Sequence, residues 1–271
     1  MKLGVILGIE GDLTAKFQEA IDMGFPTCQL SVWNAALYTD GNAAKVNDAV
    51  QKTGMEISCL LAGWSGPAVW DFIDGPETLG LVPKAFRGIR LMELYAASDF
   101  MEKINVTDMN THVGFIPETP NYEDYRGTVS VLRTLADKMK PRGQYFLFET
   151  GQETPVVLLR VIEDIGTGNL GINFDSANLL MYGKANPIDA IKMLGKYIRN
   201  THIKDGKYPV DGKNLGVEMP PGEGDVGYPA LVEALKSVGY NGCLTIEREI
   251  HGEQQRKDIL KARDMLLELI N

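Results

Sequence analysis

The stretch Tyr145–Asp175 reads YFLFETGQETPVVLLRVIEDIGTGNLGINFD. It contains a short apolar run, Tyr145–Thr150, then an amphipathic segment near Pro155–Ile165 and a second apolar run, Leu170–Phe174. Short apolar runs bounded by turn residues predict buried strands, and the longer segment that opens on a proline predicts a helix. Because adjacent parallel strands must be joined by a crossover, this order predicts one strand–helix–strand unit of a parallel sheet.

The same alternation of short and long segments continues on both sides of this unit. The predicted strands are Leu3–Gly8, Thr27–Trp33, Glu56–Ala62, Asn105–Val113, Tyr145–Thr150, Leu170–Phe174, Tyr197–Ile203 and Cys243–Arg248. Eight strand–helix units in 271 residues are typical of a (β/α)₈ barrel, the TIM barrel. No segment is rich enough in glycine, proline or serine to divide the chain, so we expect a single α/β barrel domain over residues 1–271.

An open, doubly wound sheet is the alternative architecture for alternating strands and helices. Its dinucleotide-binding members carry a Gly-x-Gly-x-x-Gly pattern directly after the first strand. Here that position reads Gly8-Ile9-Glu10-Gly11, which has too few glycines for the pattern. The sequence therefore favours the closed barrel.

The charge and hydropathy of the chain disfavour several classes of partner. Lys and Arg total 27 against 36 Asp and Glu, for a net charge of −9, and no run of basic residues is longer than two. Such a chain lacks the cationic surface that nucleic acid or an anionic membrane would need. No apolar stretch approaches the roughly 18 residues of a membrane span. We therefore expect no nucleic-acid or membrane partner, and a small-molecule substrate instead.

The three cysteines, Cys28, Cys59 and Cys243, are an odd number and lie far apart in the chain. This number and spacing predict no disulfide framework. Cysteines without such a framework favour a reducing, cytoplasmic setting. The first apolar run, Leu3–Ile9, is short and is followed directly by Glu10, so it predicts a strand rather than a signal peptide.

Four ionisable residues follow the apolar runs of the last four predicted strands. They are Glu149, Asp175, His202 and Glu247, separated by 26, 27 and 45 residues. The first two separations are close to one strand–helix unit, and the third exceeds a unit by about the length of the polar insert Gly206–Gly227. Active sites of TIM barrels lie at the carboxyl ends of the strands. The spacing therefore predicts that these four side chains meet at one face of the barrel.

Three carboxylates and an imidazole in one place repel and desolvate one another unless a cation joins them. A set of three oxygens and one nitrogen suits a divalent ion, with Mn²⁺ favoured and Zn²⁺, Mg²⁺ or Co²⁺ as alternatives. Such an ion could bind adjacent oxygens of a carbonyl compound and stabilise the enediolate that forms when the α-carbon loses a proton. Glu149 and Glu247 would then face each other, one removing a proton and the other returning one.

Five segments of the chain resemble a known superfamily. They are FET at 148–150, NFDSANLLMYGKANP at 173–187, IRNTHIKDGKYP at 198–209, GEGDVGYPALVEALKSVGYNG at 222–242 and LTIERE at 244–249. They are similar to the xylose isomerase-like TIM barrels, which group sugar and sugar-phosphate isomerases and epimerases with the fold of AP endonuclease family 2. The resemblance implies a divalent metal on Glu149, Asp175, His202 and Glu247, with Glu149 and Glu247 as the acid–base pair, as in ketose 3-epimerases.

The sequence departs from the ketose epimerases of that superfamily at two places. Asn178 stands where they usually carry a substrate-binding histidine, three residues after the aspartate, and Lys204, Lys207 and Lys213 stand in place of an arginine. Asn178 could still hydrogen-bond a substrate hydroxyl. The endonuclease branch needs several zinc ions and many histidines, and the three histidines of this chain argue against that activity.

Other residues at the predicted strand ends are candidates for substrate binding. His112 ends the fourth strand and could bind a substrate oxygen or hydrogen-bond the neighbouring strand. Lys204 alternates onto the same side as His202, where it could neutralise an enediolate or a phosphate, or remain solvated. Trp33 and Trp64 end strands two and three, where they could stack on the apolar face of a sugar or pack in the core.

Three functions fit this set of residues. The first is metal-dependent isomerisation or epimerisation of a sugar, a sugar phosphate or a related keto compound. The second is a lyase or dehydratase reaction on a 3-keto sugar or inosose, which starts with the same proton abstraction and expels a β-leaving group. The third is a non-catalytic carbohydrate-binding barrel, against which the pair Glu149 and Glu247 argues, because binding needs no second base. Many relatives self-associate through their outer helices, so a homo-oligomer is also an open expectation.

Overall fold

Eight parallel strands close into a barrel in the computed structural model, which describes residues 1–270. The strands are β1 (Lys2–Gly8), β2 (Thr27–Val32), β3 (Glu56–Ala62), β4 (Asp108–Thr111), β5 (Tyr145–Glu149), β6 (Leu170–Asp175), β7 (Ile198–Ile203) and β8 (Cys243–Ile246). Each strand pairs with its neighbours in sequence, and β8 closes the ring by pairing with β1. The predicted (β/α)₈ barrel is therefore confirmed, and the open sheet is excluded.

Within residues 1–270, one main helix follows each strand and covers the outside of the barrel. These helices are α1 (Leu13–Asp22), α2 (Asp40–Thr53), α3 (Lys84–Lys103), α4 (Glu123–Met139), α5 (Pro155–Ile165), α6 (Pro187–Leu194), α7 (Tyr228–Ser237) and α8 (Glu253–Ile270). Two shorter helical segments, Gly75–Thr78 and Ser176–Met181, precede α3 and α6. None of the helices in this described range is both long and apolar enough to cross a membrane.

The helix α5 illustrates how the local sequence forms an outer helix. The Thr154 hydroxyl caps the helix by accepting a hydrogen bond from the amide of Val157, and Pro155 occupies the first turn, where its missing N–H is not needed. Gly166 ends the helix in the left-handed conformation, with φ 66°. The buried side chains recur every three or four residues and face the sheet, at Val157, Leu158, Val161, Ile162 and Ile165.

The fourth strand is shorter than the sequence predicts. Instead of Asn105–Val113, β4 contains only Asp108–Thr111. Asn105 takes a left-handed backbone conformation, with φ 56°, and the next amide turns back to the carbonyl of Met101. His112 therefore lies just beyond the strand, in the loop at the carboxyl end of the barrel.

The helical segment Ser176–Met181, directly after β6, is not predicted from the sequence. Asp175 caps it, because the Oδ1 atom of this carboxylate accepts a hydrogen bond from the amide of Asn178 at 2.7 Å. One oxygen of Asp175 thus serves the fold, and the other stays available to the site.

The insert at 206–227 is attached to the barrel by the carboxylate of Asp205. Four amides of the insert donate hydrogen bonds to it, those of Gly206, Gly222, Gly224 and Val226. A Cβ atom on Gly224 would lie 2.2 Å from Oδ1 of Asp205, so only glycine fits there. The insert reaches the loop after β3, where the amide of Phe72 donates to the carbonyl of Lys213. These contacts fix the insert across the carboxyl end of the barrel.

Candidate metal centre and active site

The carboxyl ends of β5, β6, β7 and β8 bring Glu149, Asp175, His202 and Glu247 together. One ligand atom from each residue lies within 4.8 Å of the others. The first three side chains are buried and Glu247 is half-buried. Because these four strands are neighbours in the barrel, each contributes one potential ligand to the same point.

Glu149 is held through both carboxylate oxygens. Its Oε1 lies 2.6 Å from Nδ1 of His202, and its Oε2 accepts hydrogen bonds from the amides of Asn110 at 2.6 Å and Asn173 at 2.9 Å. Burial by itself raises the pKa of Glu149, but the charge and hydrogen bond of His202 bring that pKa below its ordinary value. Glu149 is therefore ionised, with Oε1 directed at the centre of the cluster.

The orientation of His202 is set by Gln29, which lies inside the barrel on β2. The Oε1 atom of Gln29 is 2.8 Å from Nε2 of His202. The Gln29 amide nitrogen donates to the side-chain oxygens of Asn173 at 2.9 Å and Asn200 at 3.0 Å. Since the nitrogen of Gln29 is committed as a donor, its oxygen must accept from Nε2–H of His202. The Nδ1 atom of His202 therefore faces the carboxylates.

The Nδ1 atom of His202 is close to all three acidic side chains. It lies 2.6 Å from Glu149, 3.4 Å from Glu247 and 3.9 Å from Asp175. Burial lowers the pKa of His202, but Glu149 and Glu247 raise it well above its ordinary value. Without a metal the ring therefore carries both protons, and a cation at the centre would take the place of the proton on Nδ1.

Asp175 contributes an oxygen that lacks a hydrogen bond. Its Oδ2 atom is buried and accepts no hydrogen bond within the described part of the chain. Burial raises the pKa of Asp175 well above its ordinary value, despite the ammonium group of Lys204 at 3.4 Å. An orphaned buried carboxylate oxygen is costly unless a cation completes its environment. The Oδ2 atom of Asp175 is therefore available to ligate a metal ion at the centre of the cluster.

Glu247 is paired with Lys204, whose Nζ lies 2.9 Å from Oε2 of Glu247 and 3.0 Å from Oε1 of Glu249. Burial raises the pKa of Glu247, but Lys204 and His202 bring it well below its ordinary value. Burial lowers the pKa of Lys204, whereas Asp175 and Glu247 raise it well above its ordinary value. Lys204 therefore remains an ammonium ion although it is almost fully buried.

These residues fit a divalent metal ion. They offer three carboxylate oxygens and one imidazole nitrogen, a set that suits Mn²⁺, Zn²⁺ or Mg²⁺. The orphaned Oδ2 atom of Asp175 and the histidine tautomer fixed by Gln29 are further features of a metal centre. The ligands would be Glu149, Asp175, His202 and Glu247.

A cavity of about 680 Å³ opens onto the cluster and is lined by both Glu149 and Glu247. The substrate-binding candidates Trp33, His112 and Asn178 also line it. The indole of Trp64 lies behind this surface, because it is 4% exposed and donates a hydrogen bond to the carbonyl of His112. The ring of His112 is held by Gln152, whose amide nitrogen is 3.2 Å from Nδ1.

Several residues of the site are not foreseen from the sequence. The polar layer beneath the cluster consists of Gln29, Asn110, Asn173 and Asn200, which interact only because the barrel closes. An amide in the middle of the buried strand TCQLSV is the one sequence signal for Gln29. Trp70 lines the cavity from the irregular segment after β3, where no periodicity indicates its position.

A family profile described as xylose isomerase-like TIM barrel matches residues 17–269. The chain belongs to this family. Its fold agrees closely with that of a xylose isomerase domain protein from Planctomyces limnophilus, at 35% identity and a TM-score of 0.92, covering 99% of this chain and 96% of the other. A 3-keto-D-glucoside 4-epimerase from E. coli shares the fold at 18% identity and a TM-score of 0.74, with 99% of each chain covered.

Curated relatives match only part of the chain. An uncharacterized protein of Methanocaldococcus jannaschii is 32% identical over 120 residues, which are 44% of this chain and 38% of that protein. An inosose dehydratase of Geobacillus thermodenitrificans is 25% identical over 146 residues, 47% of this chain and 48% of that protein. The matches thus span less than half the length of these two relatives. The barrel family includes epimerases and dehydratases, so membership of the family does not by itself specify the reaction of this protein.

Proposed function

We propose that this protein is a divalent-metal-dependent isomerase or epimerase that acts on a sugar or related keto compound by proton transfer through an enediolate. The observation that carries the proposal is the placement of Glu149 and Glu247. Both line the cavity, and both approach the same imidazole nitrogen of His202, at 2.6 Å and 3.4 Å. Two carboxylates that flank one point can serve two faces of one carbon atom.

Each glutamate keeps one oxygen on the protein, which fixes its orientation toward the substrate. Oε2 of Glu149 is held by the amides of Asn110 and Asn173, and Oε2 of Glu247 by the ammonium of Lys204. One glutamate removes the proton from the carbon next to the carbonyl, and the other returns it. A bound Mn²⁺ ion, or Zn²⁺, Mg²⁺ or Co²⁺ in its place, would polarise the carbonyl oxygen and so acidify that carbon.

The remaining candidates have supporting roles in this proposal. Lys204 adds a positive charge beside Glu247 and Asp175, which favours the negative charge of the enediolate. Asn178 and His112 line the cavity and can hydrogen-bond substrate hydroxyls. Trp33 offers an aromatic face for the apolar side of a sugar, and Trp64 supports that face from behind.

A dehydratase reaction is the second candidate, because the partial relative from Geobacillus thermodenitrificans is an inosose dehydratase. Dehydration begins with the same proton abstraction, and it then expels a hydroxyl group β to the carbanion. Glu149 would act as the base and Glu247, once protonated, as the acid that assists departure of the hydroxyl. The substrate decides between the two outcomes, since only a β-hydroxy carbonyl compound can eliminate water.

The test is incubation of the metal-loaded protein with ketoses, 3-keto glycosides and inosose in D₂O. Deuterium in recovered sugar would support the isomerase or epimerase, and an unsaturated product would support the dehydratase. If neither deuterium uptake nor an unsaturated product is observed, the non-catalytic carbohydrate-binding barrel becomes the best explanation. The matched control is the Glu149→Gln, Glu247→Gln double variant, which keeps the shape of the site and removes both bases. Deuterium uptake that survives in this control would contradict the proposal.

A further inference from the structure

All three tryptophans of the chain lie together at one side of the cavity. The ring centroids are 6.0 Å apart for Trp33 and Trp64, 6.3 Å for Trp64 and Trp70, and 6.5 Å for Trp33 and Trp70. Trp70 also meets the imidazole of His112 edge to face at 5.0 Å. These three indoles form a continuous aromatic surface, the tryptophan wall.

The tryptophan wall is fixed from behind. The guanidinium of Arg90 lies 4.0 Å from the ring centroid of Trp64, and Arg90 is buried. Its N–H groups donate to four carbonyls of the loop after β3, those of Ser65, Pro67, Thr78 and Gly80. Gly63 lets the ring of Trp33 pack on the backbone, because a Cβ atom there would lie 2.4 Å from that ring. Trp33 and Trp64 are therefore held in place from behind.

Two members of the wall keep large exposed faces. Trp33 is 44% exposed and Trp70 is 40% exposed, and both line the cavity. Leaving large aromatic rings in water gives up the stabilisation that their burial would provide. An aromatic surface that faces a cavity is instead suited to stack on the apolar face of a ring in a ligand.

The wall lies across the barrel from the metal centre. Trp33 follows β2 and Trp64 follows β3, while Asp175 and His202 are at the ends of β6 and β7, four places away around the ring of eight strands. The cavity between them has a volume of about 680 Å³, within the range of roughly 300–1,000 Å³ that holds drug-sized ligands. A cavity of this size has room for two rings, one at the metal centre and one on the wall.

The charges around the cavity disfavour a phosphorylated ligand. Within residues 1–270, Arg248 is the one arginine or lysine that lines the cavity. Its guanidinium is already paired with the carboxylates of Glu218 at 2.9 Å and Asp258 at 2.7 Å. Glu149, Glu247 and Glu249 line the same cavity and would repel a phosphate dianion.

We propose that the tryptophan wall binds the second, uncharged ring of a glycoside, while the first ring lies at the metal centre. This inference rests on the proposed function and names its substrate class: neutral keto glycosides rather than free or phosphorylated monosaccharides. The second ring, an aromatic aglycone or another sugar, stacks on Trp70 and Trp33.

The test compares ligands that differ only in the aglycone: methyl, phenyl and glucosyl 3-keto-glucosides, together with 3-ketoglucose 6-phosphate. Binding to the metal-loaded Glu149→Gln variant, which prevents turnover, is measured by titration calorimetry. We expect the phenyl or the glucosyl ligand to bind about three- to tenfold more tightly than the methyl ligand, and the phosphate ester to bind most weakly. The phenyl and glucosyl arms distinguish an aryl aglycone from a second sugar.

Replacing one ring of the wall should remove this selectivity. In a Trp70→Ala background the affinity ratio between two-ring and methyl ligands should fall to about one, while Trp70→Phe should retain most of it. Tyr122→Ala, which removes an exposed aromatic ring that does not line the cavity, should leave the ratio unchanged. Equal affinities for all three glycosides, a ratio that survives Trp70→Ala, or tightest binding of the phosphate ester would overturn the inference.

Failure of this inference and failure of the proposed function give different results. If the wall is not a binding site but the function is correct, wild-type protein will exchange deuterium into the methyl 3-keto-glucoside with no advantage for two-ring ligands. If the function is wrong but the wall binds rings, two-ring ligands will bind selectively without any exchange.

Discussion

The side-chain oxygen of Gln29 lies 2.8 Å from Nε2 of His202, although 173 positions separate the two residues in the chain. This contact crosses the interior of the barrel from β2 to β7. It fixes the imidazole so that Nδ1 points at Glu149, Asp175 and Glu247. A hydrogen-bond partner on the far nitrogen of a metal-binding histidine orients the ring and increases its basicity.

Gln29→Met should therefore weaken metal binding without removing a ligand. Methionine keeps the length of the side chain but cannot accept a hydrogen bond from His202. We expect the affinity for Mn²⁺ to fall roughly 10–100-fold, measured by metal titration of the apoprotein. Cys28→Ala is the matched control, because Cys28 is also buried on β2 but points to the opposite face of the strand. Equal affinities in Gln29→Met and wild type would show that the contact does not serve the metal.

Asp175→Asn should separate the role of this residue in the fold from its role in the metal centre. Asparagine can still cap the segment Ser176–Met181 through its side-chain oxygen, and it replaces Oδ2 with an amide nitrogen that cannot ligate a cation. Without metal, we expect the variant to remain folded, because the cap persists and the ammonium of Lys204 keeps its contacts with Glu247 and Glu249. At a metal concentration of about 100 times the dissociation constant, wild type should gain about 2.7 kcal/mol and the variant far less. Denaturant unfolding with and without metal measures the stability of each apoprotein and its stabilisation by metal. Equal stabilisation of the variant and wild type by metal would contradict the role of Asp175 as a metal ligand.

Glu153 should make the stability of the protein fall as the pH rises. This side chain is buried, and burial raises its pKa to about 8, compared with 4.5 for an exposed glutamate. Between these two pH values the folded protein binds more protons than the unfolded chain, so the free energy of unfolding decreases with pH. Glu153→Gln removes this dependence. The free energy of unfolding of the variant, relative to that of wild type, should therefore be higher at pH 8 than at pH 5 by a few kcal/mol.

The comparison for Glu153 is the exposed Glu163 on α5, changed to glutamine in the same way. Unfolding in the presence of a chelator should show a larger pH-dependent difference from wild type for Glu153→Gln than for Glu163→Gln. If the two variants respond to pH alike, burial of Glu153 does not control the titration.

Arg90→Lys should loosen the loop that carries Trp70. A lysine ammonium cannot reach the four carbonyls that the planar guanidinium satisfies. We expect a loss of about 2 kcal/mol in the free energy of unfolding, because these carbonyls, including the buried one of Gly80, are left without the donors that Arg90 supplies. Faster hydrogen exchange at residues 65–80 should accompany it. Arg126→Lys, at an exposed position on α4, should change neither quantity. Unchanged exchange in Arg90→Lys would mean that the loop is held by other contacts.

The sequence predicts the fold because strand–helix alternation is a local signal. Segments such as Tyr145–Thr150 and Pro155–Ile165 can be recognised without knowledge of their neighbours, and the structure contains them within one residue as β5 and α5. The fourth strand was predicted too long, since the left-handed turn at Asn105 has no clear signature in sequence.

The sequence predicts part of the candidate site for the same reason. Glu149, Asp175, His202 and Glu247 stand at strand ends, where the barrel repeat alone brings them to one face, and the structure brings their ligand atoms within 4.8 Å. Gln29 could not be assigned a role, because its contacts depend on the closure of the barrel. Trp70 lies in a loop whose shape is set by the distant Arg90, and no local pattern encodes that arrangement.

If Glu149 and Glu247 are the two bases of a proton-transfer enzyme, each glutamate serves one face of the substrate carbon. The most direct measurement is deuterium uptake from D₂O into each epimer of a keto glycoside, for metal-loaded wild type, Glu149→Gln and Glu247→Gln. Wild type should label and interconvert both epimers. Each variant should lose interconversion by at least about 10²–10⁴-fold while still exchanging the proton of one epimer, and the two variants should label opposite epimers. Wild-type interconversion in both variants would show that neither glutamate is a base in the reaction.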